Sequence, residues 1–192
     1  TITITGTNDQ PVIEVAAAST DSDAEGVTET NAGLATSGTL TVSDVDTTDV
    51  VTATVTSVAV TVANSTSVTA TVSDDGIAIN GTEVITQAEL LSFMDLSDDG
   101  DSTDATDTTT GAGNDATMTI LSDGETSDTL NWDFDSGSEA FDFLALGETI
   151  TLDYTFSVDD GNDVGDGIPV NDDNGELSTN TKTVTITITG TN

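Results

Sequence analysis

TVTITITG, residues 183–190, alternates threonine with valine or isoleucine without a break. Successive side chains of an extended chain point to opposite faces, so the apolar ones line one face and the hydroxyls the other, which is the signature of a half-buried strand. The same alternation runs through GTLTVSD (38–44), VVTATVTSVAVTVA (50–63), SVTATVSD (67–74) and TITLDYTFSVDD (149–160). Shorter runs in PVIEVA, ATMTILS and TLNWDF read as further strands. Many short alternating strands separated by turn residues predict an all-β, antiparallel, Ig-like sandwich of about seven strands. One segment breaks the pattern. In ITQAELLSFMDLS, Thr86 and Glu89 have capping-box spacing and Leu90, Leu91, Phe93 and Met94 supply an apolar face, which predicts one short helix in a middle insertion. Two acidic, small-residue stretches, 97–115 and 161–180, read as long loops or insertions.

The octapeptide TITITGTN occurs twice, at 1–8 and at 185–192. Recurrence of one junction word for word is expected of a tandem array. Residues 1–8 are then the last strand and linker of a preceding repeat, and 9–192 form a single repeat.

Composition narrows function. Against 36 Asp and Glu stands one cationic side chain, Lys182, with no histidine, giving a formal net charge of -35. Such a field repels nucleic acid and anionic membrane, so neither is expected as a partner. Without His, Cys or Arg the chain lacks the usual catalytic base, nucleophile and anion clamp, and no enzyme activity is expected. A carboxylate pair could hydrolyse glycosides, but such sites want aromatic-lined clefts, and the chain has one Trp, one Tyr and five Phe. Trp132, Phe134, Phe141 and Phe143 read as core rather than as a sugar platform. No apolar run is long enough for a membrane span and no signal peptide opens the chain. The acidity has two readings: solubility in high salt, or carboxylate clusters that bind a hard divalent ion through oxygen.

GLATSGTLTVSDVDTTD (33–49), the lone Trp in TLNWDF, FLALGETITLDYTFSVDDGN (143–162) and TKTVTITITGTN (181–192) together resemble the VCBS repeat, a bacterial relative of cadherin-like domains. The resemblance implies a cadherin-like member of the Ig-type sandwiches, strung in tandem in very large secreted or cell-surface adhesins, often of the RTX and biofilm-associated kind. Residues 64–131 depart from the family pattern, being longer and carrying the helix and an acidic stretch. GTNDQPVI (6–13) is similar to the cadherin linker, in which an Asn-Asp pair precedes a proline and calcium locks consecutive domains. Asn8 and Asp9 stand in those positions here.

In a seven-strand traverse the loops after the second and sixth strands return to the linker end. SDVDTTD then offers Asp44 and Asp46, whose D-x-D spacing resembles the cadherin motif. SVDDGND offers Asp159, Asp160 and Asp163. With Asn8 and Asp9 they could supply the roughly six to eight oxygens that Ca2+ takes. The opposite end is expected to hold ligands for the next joint, chosen from Glu25, Glu29, Glu148 and Asn192, with Glu29 and Glu148 preferred. DFDSGSE (133–139) and NDDNGE (171–176) are further local acidic loops, and GAGND (111–115) reads as a turn. The expected function is a calcium-set spacer whose partners are neighbouring repeats of the same chain and which is a monomer in isolation. The alternative is a calcium-dependent module that binds glycan or protein through the atypical middle region.

Overall fold

The computed structural model describes residues 1–3, 8–17, 19–63, 70–73, 76–79, 82–97, 117–161 and 178–191. In chain order the elements are β1 (Val12–Glu14), β2 (Ala24–Thr28), β3 (Ala35–Ser43), β4 (Val51–Ala63), β5 (Ala70–Ser73), β6 (Gly76–Ile79), β7 (Thr82–Thr86), α1 (Gln87–Leu91), β8 (Met94–Ser97), β9 (Thr117–Leu121), β10 (Ser127–Asp135), β11 (Thr149–Asp159) and β12 (Thr179–Thr189). A four-stranded sheet in the order β1-β3-β10-β8 faces a five-stranded one in the order β2-β12-β11-β4-β9. With β1 and β2 as the two halves of strand A and β3, β4, β8, β10, β11 and β12 as B to G, the sheets read ABED and A′GFC, the arrangement of the immunoglobulin sandwich, with β9 added beside C. The fold is therefore all-β and Ig-like, as the alternation predicts.

The core follows from that alternation. In β11 every second residue, Ile150, Leu152, Tyr154, Phe156 and Val158, is buried, and Val184, Ile186 and Ile188 of β12 continue the layer. Across from them lie Leu40 and Val42 of β3 and Leu130, Trp132 and Phe134 of β10. Burying each such side chain contributes about 1.5–3 kcal/mol relative to leaving it exposed. Strand β4 needs one irregularity to stay amphipathic over its length. Its inward residues are Val51, Ala53 and Val55, then Val58, and the pairing with β11 shifts register between Thr155 and Phe156. The extra residue of the bulge restores the apolar face to the core.

Four details depart from expectation. The sequence 85–97 divides: Thr86 and Glu89 do form the capping box of α1, but the helix ends at Leu91. Met94–Ser97 is strand β8, with Met94 and Leu96 buried, because it pairs with Asn131–Phe134 of β10. The segment read as an insertion thus supplies a strand of the sandwich. The first strand also divides, into β1 and β2 on opposite sheets, with β2 running parallel to β12. Asp21 fastens the crossing by accepting hydrogen bonds from the Ala16 amide at 3.1 Å and from the Thr39 and Thr41 hydroxyls at 2.7 Å each. Thr1–Thr3 at the chain start lie outside any strand, and Ile4–Thr7 lie outside the described residues. Finally, β5, β6 and β7 form a separate three-stranded sheet.

Helix α1 closes one flank of the core. Leu90 is buried, and its carbonyl accepts a 2.7 Å hydrogen bond from the Tyr154 hydroxyl. Trp132, fully buried, donates through Nε1 to the Ser22 carbonyl at 3.0 Å and lies opposite Gly38 in the strand register. A Cβ on Gly38 would run into the indole ring. The aromatic cluster is core, as the sequence suggests.

Candidate metal site at the linker pole

The strand register defines two poles. Asp159 of β11 lies opposite Thr52 and Thr179, and Ser43 of β3 opposite Val12, so the linker, the β3–β4 loop and the end of β11 share one end. This is the convergence that the seven-strand traverse predicts. The linker is tied to both loops. Asn8 donates through Nδ2 to Asp160 Oδ2 at 2.9 Å, the Asp9 amide donates to Asp46 Oδ2 at 2.6 Å, and Gln10 Nε2 donates to the Thr179 carbonyl. Pro11 follows, buried at the start of β1.

Within the β3–β4 loop the Asp46 amide donates to Asp44 Oδ1 at 2.9 Å, and the Asp49 amide to the Asp46 carbonyl at 3.1 Å. The second bond closes a β-turn and folds Asp49 back toward Asp44. One carboxylate oxygen from each of Asp44, Asp46 and Asp49 lies within 4.8 Å of the others. Asp44 is 5% exposed, and both its Oδ2 and Asp49 Oδ2 are buried without a hydrogen-bond partner. A buried, unpartnered carboxylate oxygen is costly, and most buried polar atoms are satisfied. Burial first, then repulsion from Asp49, Asp160 and Asp46, pushes the Asp44 carboxyl above its ordinary range. No protein cation relieves this: Lys182 pairs with Asp23 at 2.7 Å. The donor set, anionic oxygens held apart by their own charge, suits a hard divalent cation.

The raised value has a sign. In metal-free buffer Asp44 contributes stability when protonated, fully present below the ordinary carboxylate range and lost as pH rises through the raised folded value. At neutral pH in EDTA the Asp44→Asn variant, which keeps the shape and removes the charge, is therefore expected to melt above the unaltered chain. A lower melting temperature in EDTA would show that the charge is not under strain.

The other expected ligands are placed as follows. Asp159 lies at the same pole, where its Oδ1 accepts the Gly161 amide at 2.7 Å, closing the turn after β11. Asp163 and Asn192 lie outside the described residues. Glu29 and Glu148 sit at the opposite pole, 1% and 2% exposed. Glu29 accepts from the Asn31 amide at 2.9 Å and the Thr191 hydroxyl at 2.6 Å, and Glu148 Oε2 from the Ala145 amide at 3.0 Å. Hydrogen bonds from Thr191 and Asn31 hold Glu29 below its ordinary range, while burial, followed by the hydrogen bond and charge of Glu29, raises Asp142 beside it. Glu25 accepts from Ser22 Oγ at 2.7 Å on β2. In DFDSGSE, Asp135 accepts the Gly137 amide at 2.8 Å and Glu139 the Phe141 amide at 2.8 Å, so both carboxylates cap turns. Sequence reasoning missed Asp49 and Asp142. The turn signal in DVDTTD, an Asp followed by two threonines and a second Asp, could have found Asp49.

Fold and site together define an Ig-type sandwich with an anionic pole at the linker. No family profile matches the chain, and no curated protein matches it. Two solved structures are remotely similar. The ASH/PapD-like domain of human CEP192 is 8% identical, with 100% of this chain and 92% of that one covered and a TM-score of 0.41. AggA, the major subunit of aggregative adherence fimbriae type I from Escherichia coli, is 12% identical, with 98% and 100% covered and a TM-score of 0.42. No helix among the described residues is long and apolar enough to cross a membrane.

Proposed function

We propose that the chain is a calcium-binding extender repeat, VCBS- and cadherin-like, of a large secreted or surface-displayed bacterial adhesin. It carries no catalysis of its own. Its partners are the neighbouring repeats, and calcium at the joints removes hinge freedom so that the array projects a distal binding domain for adhesion or biofilm formation. The observation that carries this reading is the tying of Asn8 and Asp9 to Asp160 and Asp46 beside Asp44, whose buried Oδ2 has no hydrogen-bond partner. Asp44, Asp46 and Asp49 would hold the ion, with Asp160, Asn8 and Asp9 adjoining. A bound cation would neutralise the pole and fix the linker against both loops at once. Glu29 and Glu148 would serve the next joint, which needs the following repeat to be complete.

Calorimetric titration of the chain with calcium tests the reading. Saturable binding is expected, and the double variant Asp44→Ala, Asp46→Ala is expected to lose it. Absence of saturable binding would leave the acidity as a solubility device, and silence toward glycans and proteins would then be the next question for the middle region.

A further inference from the structure

The turn between β9 and β10 belongs to the stretch where the sequence departs from the repeat it resembles, yet it reaches the acidic pole. The Gly124 amide donates to the Thr47 carbonyl at 2.6 Å, and the Asp44 amide donates to the Thr126 carbonyl at 3.0 Å. The β3–β4 loop is therefore gripped at Asp44, where it begins, and at Thr47, inside the turn that brings Asp49 back. The gripping turn is itself held shut. The Glu125 amide donates to the Ser122 carbonyl at 3.0 Å, and the Ser122 amide to Glu125 Oε2 at 2.8 Å. Behind it, β9 pairs with Val51–Thr54 of β4 and buries Met118, Ile120 and Leu121. Gly124 has φ +102, a backbone conformation that side chains disfavour.

We propose that the Ser122–Thr126 turn is a clamp that positions the Asp44–Asp49 loop for the divalent cation, so that ordering of the turn and occupancy of the site are coupled. This rests on the calcium reading of the same pole. Three carboxylates so close repel one another, and a loop free to relax would spread them. Two backbone hydrogen bonds to a turn anchored in the core oppose that spreading before any ion arrives, and preorganised ligands bind more tightly because less ordering is left for the binding step. Coupling of this kind is reciprocal, so the ion should in turn protect the clamp.

The test uses the full chain with calcium alone as the probe. Gly124→Ala adds no charge but strains the clamp, while Gly137→Ala makes the matching change at φ +61 in the turn after β10, at the other pole. Calorimetry is expected to show calcium affinity reduced about tenfold by Gly124→Ala, the lower end for residues that orient metal ligands, and unchanged by Gly137→Ala. Amide hydrogen exchange on the unaltered chain is expected to slow at Gly124 when calcium is added. Equal affinities for Gly124→Ala and the unaltered chain, or calcium-independent exchange at Gly124, would overturn the clamp. Should Gly124→Ala fail to fold, the exchange measurement decides alone. Failure of the unaltered chain to bind calcium overturns the calcium reading itself, and the clamp with it.

Discussion

Thermal melts in excess calcium are expected to lie about 5–11 °C above melts in EDTA. An ion that binds the folded chain alone stabilises it by RT ln(1 + [L]/Kd), about 2.7 kcal/mol at a hundredfold excess over Kd. For a domain of this size each kcal/mol moves the midpoint by about 2–4 °C. The source of the gain would be local: on the calcium reading the ion would meet the unpartnered oxygens of Asp44 and Asp49 and relieve the repulsion that Asp44 feels from Asp49, Asp160 and Asp46. The shift should survive moderate sodium chloride, because a partly buried pole is screened less than surface charge. Asp44→Asn should shrink it from both sides, raising the EDTA melt and lowering the calcium melt. Identical melts with and without calcium would remove the reason for reading this pole as a metal site.

The second large effect lies far from the pole. Trp132→Ala is expected to cost about 3–5 kcal/mol, the usual range for truncating a large buried aromatic. That is a sizeable part of the roughly 5–15 kcal/mol by which domains are stable. The ring is fully buried, its Nε1 serves the Ser22 carbonyl, and it covers the backbone at Gly38. Removing it opens a cavity, strips an acceptor and bares a glycine in one step. Gly38→Val should destabilise the unaltered chain severely, since its side chain meets the indole, and far less in the Trp132→Ala background, where the space is open. Urea denaturation of the two single variants and the double variant forms the cycle. Additive losses would mean that Gly38 and Trp132 do not share one space. Calcium should raise Trp132→Ala and the unaltered chain by the same increment, leaving the gap between them unchanged.

Much of the sandwich was legible in the chain. Period-two alternation is a consequence of strand geometry, so TITLDYTFSVDD and TVTITITG announced β11 and β12 with their buried faces. The phase change in VVTATVTSVAVTVA, from apolar odd positions to apolar even ones, even carries the bulge of β4. What failed did so where local signals were degenerate. Leu90, Leu91, Phe93 and Met94 fit one helical face as well as they fit a helix followed by a strand, and pairing with β10 chose the latter. Similarly, nothing local in 12–28 distinguishes one strand from two on opposite sheets; the crossing is fixed by Asp21 reaching Thr39 and Thr41 on β3.

At the candidate site the division is the same. The sequence by itself determined the chemistry: a chain with one lysine, no arginine and no histidine leaves its carboxylates without protein counter-charges, and its strand count sends two acidic loops back to the linker. Tertiary structure alone decided which carboxylates meet. A turn brought in Asp49, and burial left Asp44 Oδ2 facing no donor. Charge is additive along a chain and can be read there, whereas desolvation depends on what three-dimensional packing places around each atom.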